Sequence, residues 1–377
     1  MPTVPQGRPT VCRIDPDALR WNFRQIKNKI GSRVKVLAMV KANAYGHGAP
    51  FVAKTLADEG SDAFGVATVE EGIELRRADI SQPIIVVAGA YPEQVGQFLE
   101  NRLTPVLHDT QALKRFEALV KNRRETLNLH LEIDTGMGRT GLIAADFERW
   151  LPELKKLKAL KLEGVFSHFS DAESSNEEFT ENQLRIFLSI IERLRNAGIS
   201  PPILHMAKSA ALITVPSSHL TMVRPGLALY GLYPSPDLSD EIALKPVLGW
   251  HTRILQLKQV PKGFSLGYGR TFVTARESLI ATLPVGYADG YHRLLSNRAV
   301  VLVRGARVPV VGRVSMDLTM VDVTDIAGVQ PGDEVVLLGR QGDQEITADE
   351  LAGWANTISY EILTSISARV PRIYQNA

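Results

Sequence analysis

The chain has 377 residues, room for two or three domains at about 150 residues each, with an ordinary 45% apolar and 22% charged composition. Lysine and arginine total 43 against 41 aspartates and glutamates, a net charge of +2 that gives no case for a nucleic-acid or membrane-surface partner. One cysteine, Cys12, rules out an internal disulfide; the eight histidines form no HExxH or Cys/His cluster, so no metal site is expected; and no signal-like segment or membrane-length apolar run is present, so a soluble cytoplasmic protein is expected.

The first predicted element is a helix over 15–30, with Asp15 as N-cap, Leu19, Phe23, Ile26 and Ile30 on one face and Gly31 at its end. Short apolar runs then alternate with helix-like segments, the first of which covers 49–59. The runs are 34–40, 63–67, 84–88, 104–107, 127–133, 162–167, 203–206 and 221–223. Buried strands alternating with helices imply a parallel sheet. Eight of them within about 200 residues predict a closed (β/α)8 TIM barrel in preference to an open sheet.

The texture changes near 235–240, where Pro234, Pro236 and Pro246 cluster. Strand-like runs without intervening helices follow at 252–260, 278–284, 299–303, 308–314, 318–323 and 334–338, with one helix over 347–357. They predict a C-terminal, mostly antiparallel β domain. The expected domains are 14–240 and 241–377, with residues 1–13 packing on the second.

In such a barrel, functional side chains stand at the C-terminal ends of the strands. The first run leads into Lys41 of KANAYGHG. Partial burial lowers a lysine below about 10.4 and makes it a nucleophile or base; a solvated lysine at a strand end is the plainer reading of spacing alone. The fifth run leads into DTGMGRTG, where Arg139 can clamp a carboxylate or phosphate, or simply decorate a glycine-rich connector. His168, in SHF after the sixth run, is as compatible with a structural as with a catalytic place. After the seventh run, Ser209 can cap a helix and meet an anion, or only cap. After the eighth, the backbone following Gly226 in VRPG can meet a phosphate. Phosphate sites after strands seven and eight are frequent in TIM barrels, so these two turns reinforce each other.

The segments AMVKANAYGHGA, DTGMGRTG, SHF, 205–211, VRPGLALYG, GYGRTF, LPVGYADGY, GRVSMDLTMVDV and ISYEILTSI, in this order across 34–366, together resemble the alanine racemase family. The resemblance implies a pyridoxal 5'-phosphate cofactor carried by Lys41 as a Schiff base. It implies interconversion of L- and D-alanine by two bases, Lys41 and Tyr268, supplying D-alanine for peptidoglycan. Two opposed bases suit the chemistry, since a proton leaves one face of Cα and another arrives on the opposite face. A tyrosine near 10 is a poor base, so cationic or hydrogen-bonding surroundings are expected to lower it, with His168 and the arginines as candidates.

The same resemblance places Arg224 at the pyridine nitrogen with His205 bracing it. Tyr45, Ser209, Tyr360 and the backbone of Gly226 and Leu227 would hold the phosphate. Arg139 would hold the phenolic oxygen and approach the substrate carboxylate. Met316 and Asp317, like Tyr268, would come from the second subunit of a homodimer with shared sites. Tyr287 would gate the site's mouth and, with Met316 and Tyr360, leave room for little beyond a methyl group.

Two positions depart from the family pattern. Glu132 stands where a lysine, sometimes carbamylated, is frequent; it is expected to orient Arg139 directly, without carbamylation. Lys208 stands where asparagine is usual, either as an extra cation near the cofactor or pointing away from it. The competing functions are a broader-specificity racemase, a pyridoxal phosphate amino-acid decarboxylase needing no base opposite Lys41, and a non-catalytic pyridoxal phosphate carrier lacking the β domain.

Overall fold

A computed structural model describes residues 7–173 and 178–375. They divide into two compact units: 17–44 with 49–245, and 7–16 with 45–48 and 246–375.

The first unit is the barrel. Its strands are β1 (Lys35–Met39), β2 (Ala63–Val66), β3 (Ile84–Val86), β4 (Leu103–Leu107), β5 (Leu127–Asp134), β6 (Leu160–Phe166), β7 (Ile203–Lys208) and β8 (Met222–Arg224). They pair in parallel in the order β4-β3-β2-β1-β8-β7-β6-β5, and pairing of β4 with β5 closes the ring. Each lies within two residues of its predicted run. The reason is that strands buried on both faces read as unbroken apolar runs; Val36, Leu37 and Ala38 of β1 are fully buried.

The helices are α1 (Pro16–Ile30), α2 (Ala49–Asp58), α3 (Val69–Arg77), α4 (Val95–Glu100), α5 (Thr110–Asn122), α6 (Phe147–Leu154), α7 (Glu178–Asn196) and α8 (Ser209–Thr214). On α1, Leu19, Phe23, Ile26 and Ile30 are buried together as their spacing requires. Asn22 ties that helix to the segments after β8, its Nδ2 donating to the Leu229 carbonyl at 3.0 Å and the Lys245 carbonyl at 2.8 Å. Thr68 and Glu71 form a reciprocal capping box at the start of α3.

The second unit is mostly antiparallel sheet. Its main strands are β9 (Leu248–Arg253), β10 (Gln256–Val260), β11 (Ser278–Leu283), β12 (Val300–Val303), β13 (Ala306–Pro309), β14 (Thr319–Asp322) and β15 (Glu334–Gln341). One sheet runs β13-β12-β15-β9, then the N-terminal strand Val11–Ile14, then Arg372–Tyr374, the last pair being parallel. A smaller sheet is β10-β11-β14. The predicted run 252–260 is therefore two strands in two sheets. The Ile254 N–H still bonds the Asp333 carbonyl beside the large sheet, whereas the Leu255 N–H already bonds Thr282 of β11, so the chain changes sheet between them. The predicted run 308–314 likewise leaves its strand at Pro309, and Val310 turns to bridge Val321. The late helix α9 (Ala348–Ala355) starts at a Thr347–Glu350 capping box and stops at left-handed Asn356; a further helix, α10 (Ser359–Ser365), had no prediction.

Candidate active site

In the barrel unit the candidates stand where the fold places chemistry: Lys41 after β1, Arg139 after β5, His168 after β6, Ser209 after β7 and Arg224 at the end of β8. Among the described residues no group of three His, Cys, Asp or Glu can hold a metal, and no helix is long and apolar enough to cross a membrane.

Lys41 opens a turn with an unusual backbone. Ala42, Asn43, Ala44 and Tyr45 all have φ between 52° and 54°, a left-handed course that L residues avoid at roughly 1–2 kcal/mol each. The Ala44 N–H closes the turn on the Val40 carbonyl at 2.8 Å. Burial and the facing guanidinium groups of Arg139 and Arg224 push the Lys41 amine below its ordinary range, with Glu71 opposing them.

Arg224 is the centre of a buried polar chain. Its Nη1 lies 2.9 Å from His205 Nδ1, and its Nη2 bonds the Ser167 carbonyl at 2.9 Å, the Met206 carbonyl at 3.2 Å and His168 Nδ1 at 3.2 Å. His205 Nε2 lies 2.8 Å from His130 Nδ1, and His130 Nε2 lies 3.7 Å from Glu163 Oε2. A guanidinium only donates, so His205 Nδ1 accepts, its Nε2–H donates to His130, and the His130 Nε2–H faces the Glu163 carboxylate. Burial, reinforced by Arg224, holds His168 and His205 well below 6.5 and His130 below it, so all three imidazoles are neutral at pH 7. Burial pushes Arg224 itself down to about 10, which leaves it cationic. Phe166 stacks on His205 with ring centroids 4.7 Å apart. Gly164 makes room for His130, since a Cβ there would stand 2.5 Å from that ring. The bracing of Arg224 by His205 matches expectation; His130 and Glu163 were missed, because both read as ordinary strand residues.

Ser209 does not cap its own helix. Lys208 occupies the N-cap position of α8 and makes no capping bond. The Ser209 Oγ instead accepts the N–H groups of Gly226 at 2.9 Å and Ala228 at 3.3 Å, joining the turns after β7 and β8. A hydroxyl that accepts twice keeps its own proton free to donate.

Arg139 is exposed on a loop that Asp134 and Glu132 hold from below. Asp134 Oδ1 accepts the N–H groups of Gly136 at 2.8 Å and Gly138 at 3.1 Å. The expected direct Glu132–Arg139 pairing is not found among the described residues. Glu132 is buried, and its Oε2 takes the Thr140 hydroxyl at 2.7 Å and lies 2.9 Å from His108 Nδ1, so it grips the residue beside Arg139 instead. Burial raises the Glu132 carboxyl, but these two contacts outweigh it and the net shift is downward. Lys208, the other departure, points at a carboxylate: its Nζ lies 2.8 and 2.7 Å from the two oxygens of Glu173.

The remaining candidates belong to the second unit. Tyr45 and Tyr360 lie with ring centroids 6.0 Å apart, and burial pushes the Tyr45 phenol up, so it keeps its proton. Tyr268 starts a turn between the two-residue strands Ser265–Leu266 and Phe272–Val273 and is 71% exposed, without a hydrogen bond among the described residues. Tyr287 and Met316 are 42% and 53% exposed. Their loops are laced together: the Tyr287 N–H bonds the Ser315 carbonyl and the Ala288 N–H bonds the Met316 carbonyl, both at 3.0 Å. Gly286 permits this approach, since a Cβ would stand 2.3 Å from the Ser315 carbonyl oxygen. Asp317 pairs with Arg369 at 2.7 Å.

Comparisons with known proteins give the family and the fold. Profiles described as the alanine racemase N-terminal and C-terminal domains match residues 14–234 and 247–374. Alanine racemase 2 of Caldanaerobacter subterraneus subsp. tengcongensis is 45% identical over 368 residues, covering 97% of this chain and 95% of that protein. The alanine racemase of Symbiobacterium thermophilum is 47% identical over 367 residues, covering 97% of each. The structure of alanine racemase from Clostridium difficile superposes with a TM-score of 0.93 at 37% identity, covering 98% of this chain and 96% of that one. The Bacillus anthracis alanine racemase, solved with bound L-Ala-P, gives the same score, identity and coverage. The match through both domains sets aside a barrel-only carrier. This chain, with its closed barrel and its β domain, belongs to the alanine racemase family of isomerases.

Proposed function

We propose that the alanine racemase activity of this family is carried out here on pyridoxal phosphate held by Lys41, with Tyr268 of a second copy of the chain as the opposing base. The observation that carries the cofactor assignment is the guanidinium of Arg224. Its two terminal nitrogens are spent on His205, His168 and two backbone carbonyls, whereas its Nε makes none of these bonds and is left for a ring nitrogen. The wider donor set fits an anionic, phosphorylated aldehyde: Lys41, Arg139 and Arg224 gather cationic charge, and the Ser209 hydroxyl keeps a proton to donate. Tyr45, Tyr360 and the Leu227 N–H are proposed as further phosphate donors; the Gly226 N–H is already partnered by Ser209.

When bound, pyridoxal phosphate supplies an electron sink conjugated to the amino acid's Cα. Arg224 would donate to that ring without surrendering its proton, which would keep the sink weak and disfavour side reactions. Lys41, lowered by burial and by two arginines, is suited to take and return a proton on one face. His168 accepts from Arg224 through Nδ1, so its Nε2–H is the donor that would steady the hydroxyl of the partner copy's tyrosine. Arg139 would take the substrate carboxylate. Tyr268, exposed and without a hydrogen bond among the described residues, is proposed to meet the barrel of the other copy in a homodimer, with Met316, Asp317 and Tyr287 beside it.

Loading purified protein with pyridoxal phosphate and following solvent deuterium into alanine from both enantiomers tests this. Exchange and racemisation that vanish in Lys41→Ala support the reading. Racemisation that persists in that variant contradicts it.

A further inference from the structure

The left-handed turn that carries Lys41 persists only if its surroundings over-determine it. Downstream, Asn43 Oδ1 accepts the Ala49 N–H at 2.8 Å, tying the turn to α2. At the upstream end of the turn, the tie is Glu71. Its Oε1 accepts the Ala42 N–H at 2.7 Å, while its Oε2 accepts the Ala67 N–H at 2.7 Å and the Thr68 N–H at 3.4 Å. A capping box needs only the bond to the N-cap residue, here Thr68. The bond to Ala42, 29 residues upstream, lies outside that motif. It fixes the peptide that joins Lys41 to Ala42, and so the direction in which the Lys41 side chain leaves the backbone. The charged groups bearing on the Lys41 amine are Arg139 from the loop after β5, Arg224 from β8 and Glu71 from α3, with His168 also near.

We infer that Glu71 is a positioning residue for Lys41, pinning the Lys41–Ala42 peptide and setting its negative charge against the two arginines that face the amine. The inference rests on Lys41 being the amine that captures pyridoxal phosphate.

Capture itself gives a readout independent of turnover. Full-length protein freed of cofactor is mixed with pyridoxal phosphate at a series of pH values. The amine nitrogen bonds to the aldehyde carbon, water leaves, borohydride reduces the C=N bond, and peptide mapping reads the label on Lys41. Glu71→Gln removes the charge but can keep one oxygen on the Ala42 N–H; Glu71→Ala removes both. In both variants the midpoint of the pH profile is expected to move to lower pH. In Glu71→Ala the plateau rate is also expected to fall about tenfold as the amine is misplaced. A merely structural role would lower the plateau and leave the midpoint where it is. An unmoved midpoint in Glu71→Gln, which decides alone if Glu71→Ala does not fold, overturns the inference. Labelling of a different lysine in the unsubstituted protein overturns the assignment of Lys41, and the inference with it.

Discussion

Arg224 and His205 meet at 2.9 Å in a fully buried pair whose direction is fixed, because the arginine nitrogen can only donate. Replacing His205 by Phe leaves one Arg224 N–H and His130 Nδ1 without partners, while His130 Nε2 still faces Glu163. The expected loss is about 1–3 kcal/mol of stability, read as a shift of the urea midpoint. His130→Phe is expected to couple with it, the double substitution costing less than the sum of the singles.

The same chain sets a pH dependence. The folded values of His130, His168 and His205 lie below the ordinary 6.5, so the unfolded chain binds protons that the folded chain does not. Their contribution is full above about pH 6.5 and is lost as the pH falls beneath it. Urea midpoints are expected to drop between neutrality and mild acid, with a shallower slope in His205→Phe. An identical slope would show that His205 is not held neutral.

Glu132 acts at lower pH and with the carboxylate sign. Its folded value is below the ordinary 4.5, so its contribution is present above that value and is lost as the pH falls further. Glu132→Gln is expected to flatten the most acidic part of the stability profile. It and Thr140→Val are both expected to raise KM for alanine, roughly fivefold for the loss of one hydrogen bond of about 1 kcal/mol, because Glu132 reaches Arg139 through Thr140. A rise in only one of them would show that the grip on Thr140 is not what steadies the loop.

Lys208 is expected to matter little for stability. Its pair with Glu173 is partly exposed, so Lys208→Asn should shift stability by no more than about 1 kcal/mol in thermal denaturation. It should also raise the His168 pKa, which Lys208 helps to lower, as followed by proton NMR of that ring.

The barrel was legible in the sequence because doubly buried strands such as β1 leave unbroken apolar runs and because the helices between them carry periodic faces such as Leu19, Phe23, Ile26 and Ile30. The β domain was legible in class but not in register. Nothing around Arg253–Leu255 marks the change of sheet, which depends on the distant partners Asp333 and Thr282. The side chains Lys41, Arg139, His168 and Ser209 could be named from their strand ends, and Arg224 only from the resemblance of the ordered motifs to the family. Beyond the bracing of Arg224 by His205, their contacts could not. Ser209 looked like a cap for its own helix and instead joins two loops; Glu132 looked like a partner for Arg139 and holds Thr140. Glu71, His130 and Glu163 act through contacts between segments far apart in the chain, and a residue's type and spacing carry no sign of that.

The pairing of Lys41 with Tyr268 of another copy is tested most directly by complementation. Lys41→Ala and Tyr268→Phe are each expected to lose at least a hundredfold in racemisation, of the order removed with one acid–base group. A hybrid dimer of the two variants holds one site with both residues intact and one with neither. Mixing equal amounts, with subunit exchange verified by mass spectrometry, is expected to restore about a quarter of the unsubstituted activity, since about half the dimers are hybrids with one working site. Verified hybrids with no more activity than either variant alone would contradict a site shared between copies.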